Sequence, residues 1–129
     1  MSTTIHEEIT FQTTPERLYQ SLTDSKQFSE MSGGAPTDIQ AEAGGSFSCF
    51  GGMITGRMIE LVPNERIVQA WRAGNWDEGV YSIAKFELKQ QGSETLLVFD
   101  HTGFPEGQAE HLTGGWTENY WNPLRTYLD

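Results

Sequence analysis

The sequence predicts an α+β domain: a curved antiparallel sheet wrapped around one long C-terminal helix, with two short helices inserted after the first strand. Three observations predict it. Five strand-like stretches between residues 46 and 102 are separated by short turn signals, the mark of consecutive antiparallel strands. Two capped helical stretches lie between Thr14 and Met31. Leu112, Trp116, Tyr120 and Leu124 recur every four residues, so they form one helical stripe near the C-terminus.

The first strand covers residues 5–11, with Ile5, Glu7, Ile9 and Phe11 on one mostly apolar face. Thr14 is placed to cap a helix that Pro15 opens, because the first turn leaves its N–H groups unpaired and proline has none to lose. Leu18, Tyr19 and Leu22 supply its buried stripe. Thr23-Asp24-Ser25 breaks that helix and caps a second one running through Phe28 and Met31. Gly33-Gly34-Ala35-Pro36 ends the helices, and Gly44-Gly45 leads into the sheet. Residues 46–50 and 53–61 read as a hairpin around a two-residue Gly51-Gly52 turn. Strands at 66–72, 80–89 and 95–102 follow, divided by the loop Gly74-Asn75-Trp76-Asp77 and the turn Gln91-Gly92-Ser93. From about residue 107 to 128 the period is helical, and Pro123, which lacks an N–H, predicts a kink or a loosened last turn. An antiparallel sheet needs one face covered, and only this last helix is long enough to cover it.

A length of 129 residues, 36% of them hydrophobic, fits one domain over residues 1–129 with one core. Eight Lys and Arg stand against 18 Asp and Glu, for a net charge of −10. Such a surface repels phosphate backbones and anionic lipid heads, so no nucleic acid and no membrane insertion are expected; the charge favours solubility, and it reads first as a solvated acidic surface and only second as one for a basic partner. Cys49 is the only cysteine, which excludes an internal disulfide and a multi-cysteine zinc site and suits a reducing compartment. The leading Met1-Ser2-Thr3-Thr4 and the residues after it hold no apolar signal core, and no apolar run approaches membrane-spanning length; the expected location is cytoplasmic.

If strand alternation holds, Phe47, Cys49, Met58, Ile67, Trp71, Phe86, Leu88, Leu97 and Phe99 share the concave face. With Leu112, Trp116 and Tyr120 they line either a groove that takes an apolar ligand or a close-packed core; the residue types suit both. Gln69 alternates with Ile67 and Trp71 and so points inward, where its amide needs a neighbour, a water or a ligand. His101 shares phase with Leu97 and Phe99; it serves a ligand or holds the strand-to-helix corner through a backbone bond. Glu60 has the phase of Met58, at the groove rim, with Arg66 or Arg72 as a partner. Trp76 is an exposed anchor or a lid folded over the groove mouth. His101, Glu106, Glu110 and His111 lack dense ligand spacing, so no metal and no cofactor are expected. Cys49 among aromatics stays protonated and inert, and no nucleophile elbow or phosphate loop is present.

Several short runs carry a resemblance. They are Gly44-Gly45-Ser46-Phe47, Gly56, Glu60-Leu61-Val62-Pro63, Ile67-Val68 with Trp71-Arg72, Trp76 with Glu78-Gly79, His101-Thr102-Gly103-Phe104-Pro105, and Gly115-Trp116. In this order and spacing the chain resembles the domain named after the activator of the heat-shock protein 90 ATPase. Where many bacterial relatives carry paired tryptophans this chain has Met31-Ser32, closer to the C-terminal domain of the eukaryotic co-chaperone. The wider superfamily includes START-like lipid-transfer domains, polyketide cyclases and the birch-pollen allergen. The resemblance implies a helix-grip fold and, in many relatives, an apolar cavity. The expected function is therefore non-catalytic binding of a small apolar or amphipathic molecule in the groove. The alternative is a co-chaperone-like module whose partner is a heat-shock protein 90. A more remote one is a cyclase- or hydrolase-like enzyme using His101 or Glu60.

Overall fold

The computed structural model describes residues 3–128; Met1 and Ser2 of the polar leading stretch, and Asp129, lie outside the described residues. The chain runs β1 (Thr4–Phe11), α1 (Pro15–Thr23), α2 (Ser25–Met31), β2 (Asp38–Ile39), β3 (Ser46–Cys49) and β4 (Ile54–Val62). It continues through β5 (Arg66–Ala73), β6 (Ser82–Gln91) and β7 (Glu94–Thr102) to α3 (Ala109–Trp116), a π-helical turn (Thr117–Trp121) and α4 (Asn122–Leu128). Seven strands form one curved antiparallel sheet in the order β1-β7-β6-β5-β4-β3-β2. Each chain-adjacent pair from β2 to β7 is a neighbour, and β1 closes the far edge against β7. No helix among the described residues is long and apolar enough to cross a membrane.

Local chemistry accounts for the helix boundaries. The Thr14 hydroxyl accepts from the Arg17 N–H, and the Asp24 carboxylate accepts from the Gln27 N–H, so each short helix has a side-chain cap at its start. The two-residue β2 escapes the sequence reading because it carries too few residues for a period; the Ser25 hydroxyl takes the Ile39 N–H and ties it to α2.

Two parts of the hairpin expectation need correction. Cys49 does pair with Ile54 across β3 and β4, but the connection is a 3₁₀ turn through Phe50, Gly51 and Gly52 rather than a two-residue glycine turn. Phe50 leaves the strand with φ of 55°, followed by Gly51 at 68° and Gly52 at 94°; three successive left-handed residues need more chain than two. The second correction concerns Glu60. Met58 pairs with Gln69 and Glu60 with Val68, so Ile59 is an extra residue in β4. This bulge reverses the phase of the strand. Glu60 is thereby turned to the outer face, exposed, rather than to the groove rim.

The bulge spares the inner face elsewhere. Ile67, Gln69 and Trp71 of β5, Ser82, Ala84, Phe86 and Leu88 of β6, and Thr95, Leu97, Phe99 and His101 of β7 are all buried, as alternation requires. Gly56 is fixed by close approach: a Cβ there would stand 1.9 Å from the Ala70 oxygen and 2.7 Å from the Phe47 ring. The expected disturbance at Pro123 takes the form of the π turn. Proline supplies no N–H to the carbonyl four residues earlier and crowds it, and the preceding turn widens so that the Asn122 N–H bonds the Thr117 oxygen. The wider turn carries an additional residue, and both Tyr120 and Trp121 reach the interior alongside Leu112, Trp116 and Leu124.

Candidate functional site

Beneath the C-terminal helix the interior is filled by rings. Trp116 lies 4.4 Å from Phe99, 5.3 Å from Trp71 and 5.6 Å from Trp121, centroid to centroid, and Phe86 lies 5.0 Å from Phe99. One polar chain threads this aromatic core. The Trp116 indole N–H donates to His101 Nδ1 at 3.0 Å. An indole nitrogen only donates, so Nδ1 is unprotonated and Nε2 carries the hydrogen. His101 Nε2–H donates to Ser82 Oγ, 2.6 Å between nitrogen and oxygen, and the Ser82 hydroxyl in turn donates to the Trp71 carbonyl at 3.0 Å. Every member of the chain is satisfied. His101 does hold the corner between sheet and helix, but through side chains and not through the backbone bond expected of it. Its burial pushes its pKa down to about 4, so the ring is neutral. Gln69, the other inward polar group, donates from Nε2 to Met58 Sδ at 3.7 Å, a weak partner.

Over this core, at one end of the sheet, lies a half-open cleft of about 650 Å³ between α3, the β3–β4 turn and the loop after β5. The Arg72 guanidinium builds the loop side by donating to the carbonyls of Trp76 at 2.8 Å and Asp77 at 2.9 Å. The loop folds Trp76 back edge-on to Trp71, 5.6 Å between centroids, and only 9% of it stays exposed. Trp76 is therefore a lid over the groove mouth, not an exposed anchor. The closure leaves two buried indole N–H groups, on Trp71 and Trp76, without a hydrogen-bond partner; the Tyr120 hydroxyl stands close to that of Trp71 without completing a well-aligned bond. Leaving such a donor unpaired costs about 1–3 kcal/mol.

All eleven candidate groove residues are buried. Trp71, Leu112, Trp116 and Tyr120 come together on the cleft wall. Phe47, Cys49, Met58, Gln69, Phe86, Phe99 and His101 do not line it; they belong to the packed interior below. The cleft also takes Phe50, Ile54, Gln108, His111 and Asn119, none of them among the groove residues the sequence predicts, with His111 weighed there only as a metal ligand. Three of these were accessible to the sequence reading. Gln108, His111, Leu112, Gly115 and Asn119 recur at three- and four-residue steps and so share one helix face. Phe50 and Ile54 were not, because the shape of the turn places them.

The ionisable groups divide sharply by depth. Burial pushes the Cys49 thiol up to about 12 and Tyr120 well above the ordinary phenol range. Neither is an acid or nucleophile near neutral pH. On the outer face, the Arg66 guanidinium donates to the Glu60 carboxylate at 2.6 Å and holds its pKa low. Arg66, not Arg72, is thus the partner of Glu60. Among the described residues no group of three His, Cys, Asp or Glu is placed to hold a metal.

A bent antiparallel sheet gripping a C-terminal helix defines the helix-grip class of proteins. The chain belongs to the family described as Activator of Hsp90 ATPase homolog 1-like protein, whose model matches residues 12–129. It is 31% identical over 119 residues to the mouse Activator of 90 kDa heat shock protein ATPase homolog 2, covering 92% of this chain and 36% of that protein. It is 30% identical over 116 residues to the human Activator of 90 kDa heat shock protein ATPase homolog 1, covering 90% of this chain and 34% of that protein. The chain thus spans about a third of the length of these curated relatives. Among solved structures, the crystal structure of an HSP90 activator from Plasmodium falciparum superimposes with a TM-score of 0.93 at 26% identity, covering 98% of this chain and 96% of that one. The solution structure of the Aha1 dimer from Colwellia psychrerythraea, with a TM-score of 0.81 at 19% identity over 98% of this chain and 96% of that one, shares the fold.

Proposed function

We propose that this chain, as one unit over residues 1–129, works by docking to an Hsp90 chaperone in the manner of a co-chaperone, and not by catalysis. The observation that carries this reading is the family match over residues 12–129, joined by a structural relative described as an HSP90 activator. The geometry supports it. The deep interior is packed with rings, and the buried titratable groups His101, Cys49 and Tyr120 are held neutral by burial. Glu60, the other residue of the enzyme alternative beside His101, faces solvent in an ion pair with Arg66. Calorimetric titration of the purified chain into the Hsp90 of its own host, with ATP turnover measured in parallel, tests the proposal. Saturable binding with a changed turnover is expected; neither binding nor a rate change would retire it.

A second reading concerns the cleft. Two buried indole donors without partners beside an apolar cleft favour a small, uncharged, largely apolar molecule carrying an acceptor oxygen. Native mass spectrometry of protein purified from its host should then show a co-purified mass. Gly115→Met should abolish it, since a side chain at Gly115 meets only Asn119 Nδ2 at 3.9 Å and would project into the cleft. An unliganded mass in protein from its own host speaks against the reading.

A further inference from the structure

The outer face of the sheet carries a second feature, on the side away from helix and cleft. Four large hydrophobic side chains are exposed among the described residues: Met53, Ile59, Tyr81 and Ile83. Three of them lie together on β4–β6 or just before β6. Arg57 pairs with Ala70 and Ala70 with Ile83, which makes one row across three strands. In the next row the Arg72 guanidinium stands 5.7 Å from the Tyr81 ring. On the other side Val68 pairs with Lys85, beside the bulge at Ile59. Alternation from buried Met58 already points Ile59 to this face, and the bulge adds Glu60 beside it.

The charge of this face runs against that of the molecule. Arg57, Arg66, Arg72 and Lys85 are four of the eight basic residues in a chain of net charge −10. Arg66 and Lys85 are matched by Glu60 and Glu87. Arg57 and Arg72 make no salt bridge among the described residues: the Arg57 guanidinium donates to the Gly44 carbonyl, and Arg72 donates to loop carbonyls. Acidic groups stand on the strands beyond, with Asp100 paired across from Lys85 and Glu8 on β1 past it. At about 4.8 Å between strands and about 6.8 Å between rows on one face, the apolar and basic centre spans roughly 10 by 14 Å. That is the size of the central cluster of a protein interface, with an apolar middle and arginines at its edge.

We infer that this outer face of β4–β6 is where the chain meets the chaperone, and that it takes an acidic segment bearing apolar side chains. The inference rests on the co-chaperone reading above. Charge complementarity selects this occupant. A second copy of the chain would set like charges against each other if it used the same patch. A nucleic acid would have to accept the surrounding acidic surface and gain little from Ile59 and Ile83.

The test is titration of the host Hsp90 with the full chain and three variants, Arg57→Glu, Ile83→Thr and Lys26→Glu, at low and high salt. Ile83→Thr keeps a β-branched residue on the strand, and circular dichroism checks that each variant is folded. Lys26 is an exposed residue of α2, away from the sheet, and makes the same charge change elsewhere. Arg57→Glu should weaken binding about tenfold or more and flatten its salt dependence, Ile83→Thr should weaken it at either salt, and Lys26→Glu should change it less than about twofold. Wild-type binding that both sheet variants retain would overturn this surface and leave the co-chaperone reading intact. No wild-type binding would overturn both. Self-association by sedimentation, or oligonucleotide binding, that Arg57→Glu abolishes would overturn the inference in favour of that other occupant.

Discussion

Lowering the pH should weaken this fold through His101 before it does anything else to the interior. The unfolded chain holds the imidazole near its ordinary value of 6.5, and the folded chain holds it near 4. Between those values the unfolded state takes up a proton that the folded state refuses, so unfolding becomes easier as pH falls. The gap is worth about 3 kcal/mol in all, a large part of the stability of a small domain. The contribution is intact above pH 6.5, declines through the window, and is gone below about pH 4. Protonating Nδ1 would also set a second donor against the Trp116 N–H, which is why the polar chain reinforces the burial. Two surface groups titrate as well. His6, raised by its bonds to Asp100 and Glu8, adds stability below its ordinary value that is lost as pH rises. Glu60, lowered by Arg66, adds stability that is lost as pH falls through its own folded value. A non-titrating replacement separates these. His101→Gln keeps an acceptor for Trp116 and a donor for Ser82. Urea unfolding followed by tryptophan fluorescence between pH 7 and about 4.5 should show the wild-type losing stability faster than His101→Gln. NMR of the His101 ring should place its midpoint near 4. Parallel loss in the two proteins, or a ring that titrates near 6.5, would refute the assignment.

Four further outcomes follow from packing and capping. Gly56→Ala should destabilise the protein by about 2 kcal/mol or more in urea unfolding, because its Cβ meets backbone at Ala70. Gly114→Ala, with nothing within 4 Å, should stabilise by up to about 1 kcal/mol by the same measurement. Cys49, with its thiol raised to about 12, should stay silent toward a thiol reagent at mildly alkaline pH until denaturant is added; prompt reaction of the folded protein would contradict its burial. Thr14→Ala should lower stability by about 1 kcal/mol through loss of the α1 cap, and Thr14→Ser should restore it, as read by thermal melting.

What the amino-acid order alone determined is local and periodic. The caps at Thr14 and Asp24, the alternation that turns Trp71, Phe99 and His101 inward, and the stripe of Leu112, Trp116 and Tyr120 depend on neighbours within a few residues. Such patterns are written in spacing. Three features came only with the tertiary structure. The bulge at Ile59 depends on how β4 meets β5, and it moves Glu60 from the groove side to solvent, beside Ile59. The partners of His101 lie 15 and 19 residues away in the chain, on a helix and a neighbouring strand, so no local rule could name them. Whether the concave face is hollow or filled depends on how closely the rings of the terminal helix fit those of the sheet. The same list of apolar residues lines a cavity or closes it, and the π turn that seats Tyr120 and Trp121 together is part of what closes it here.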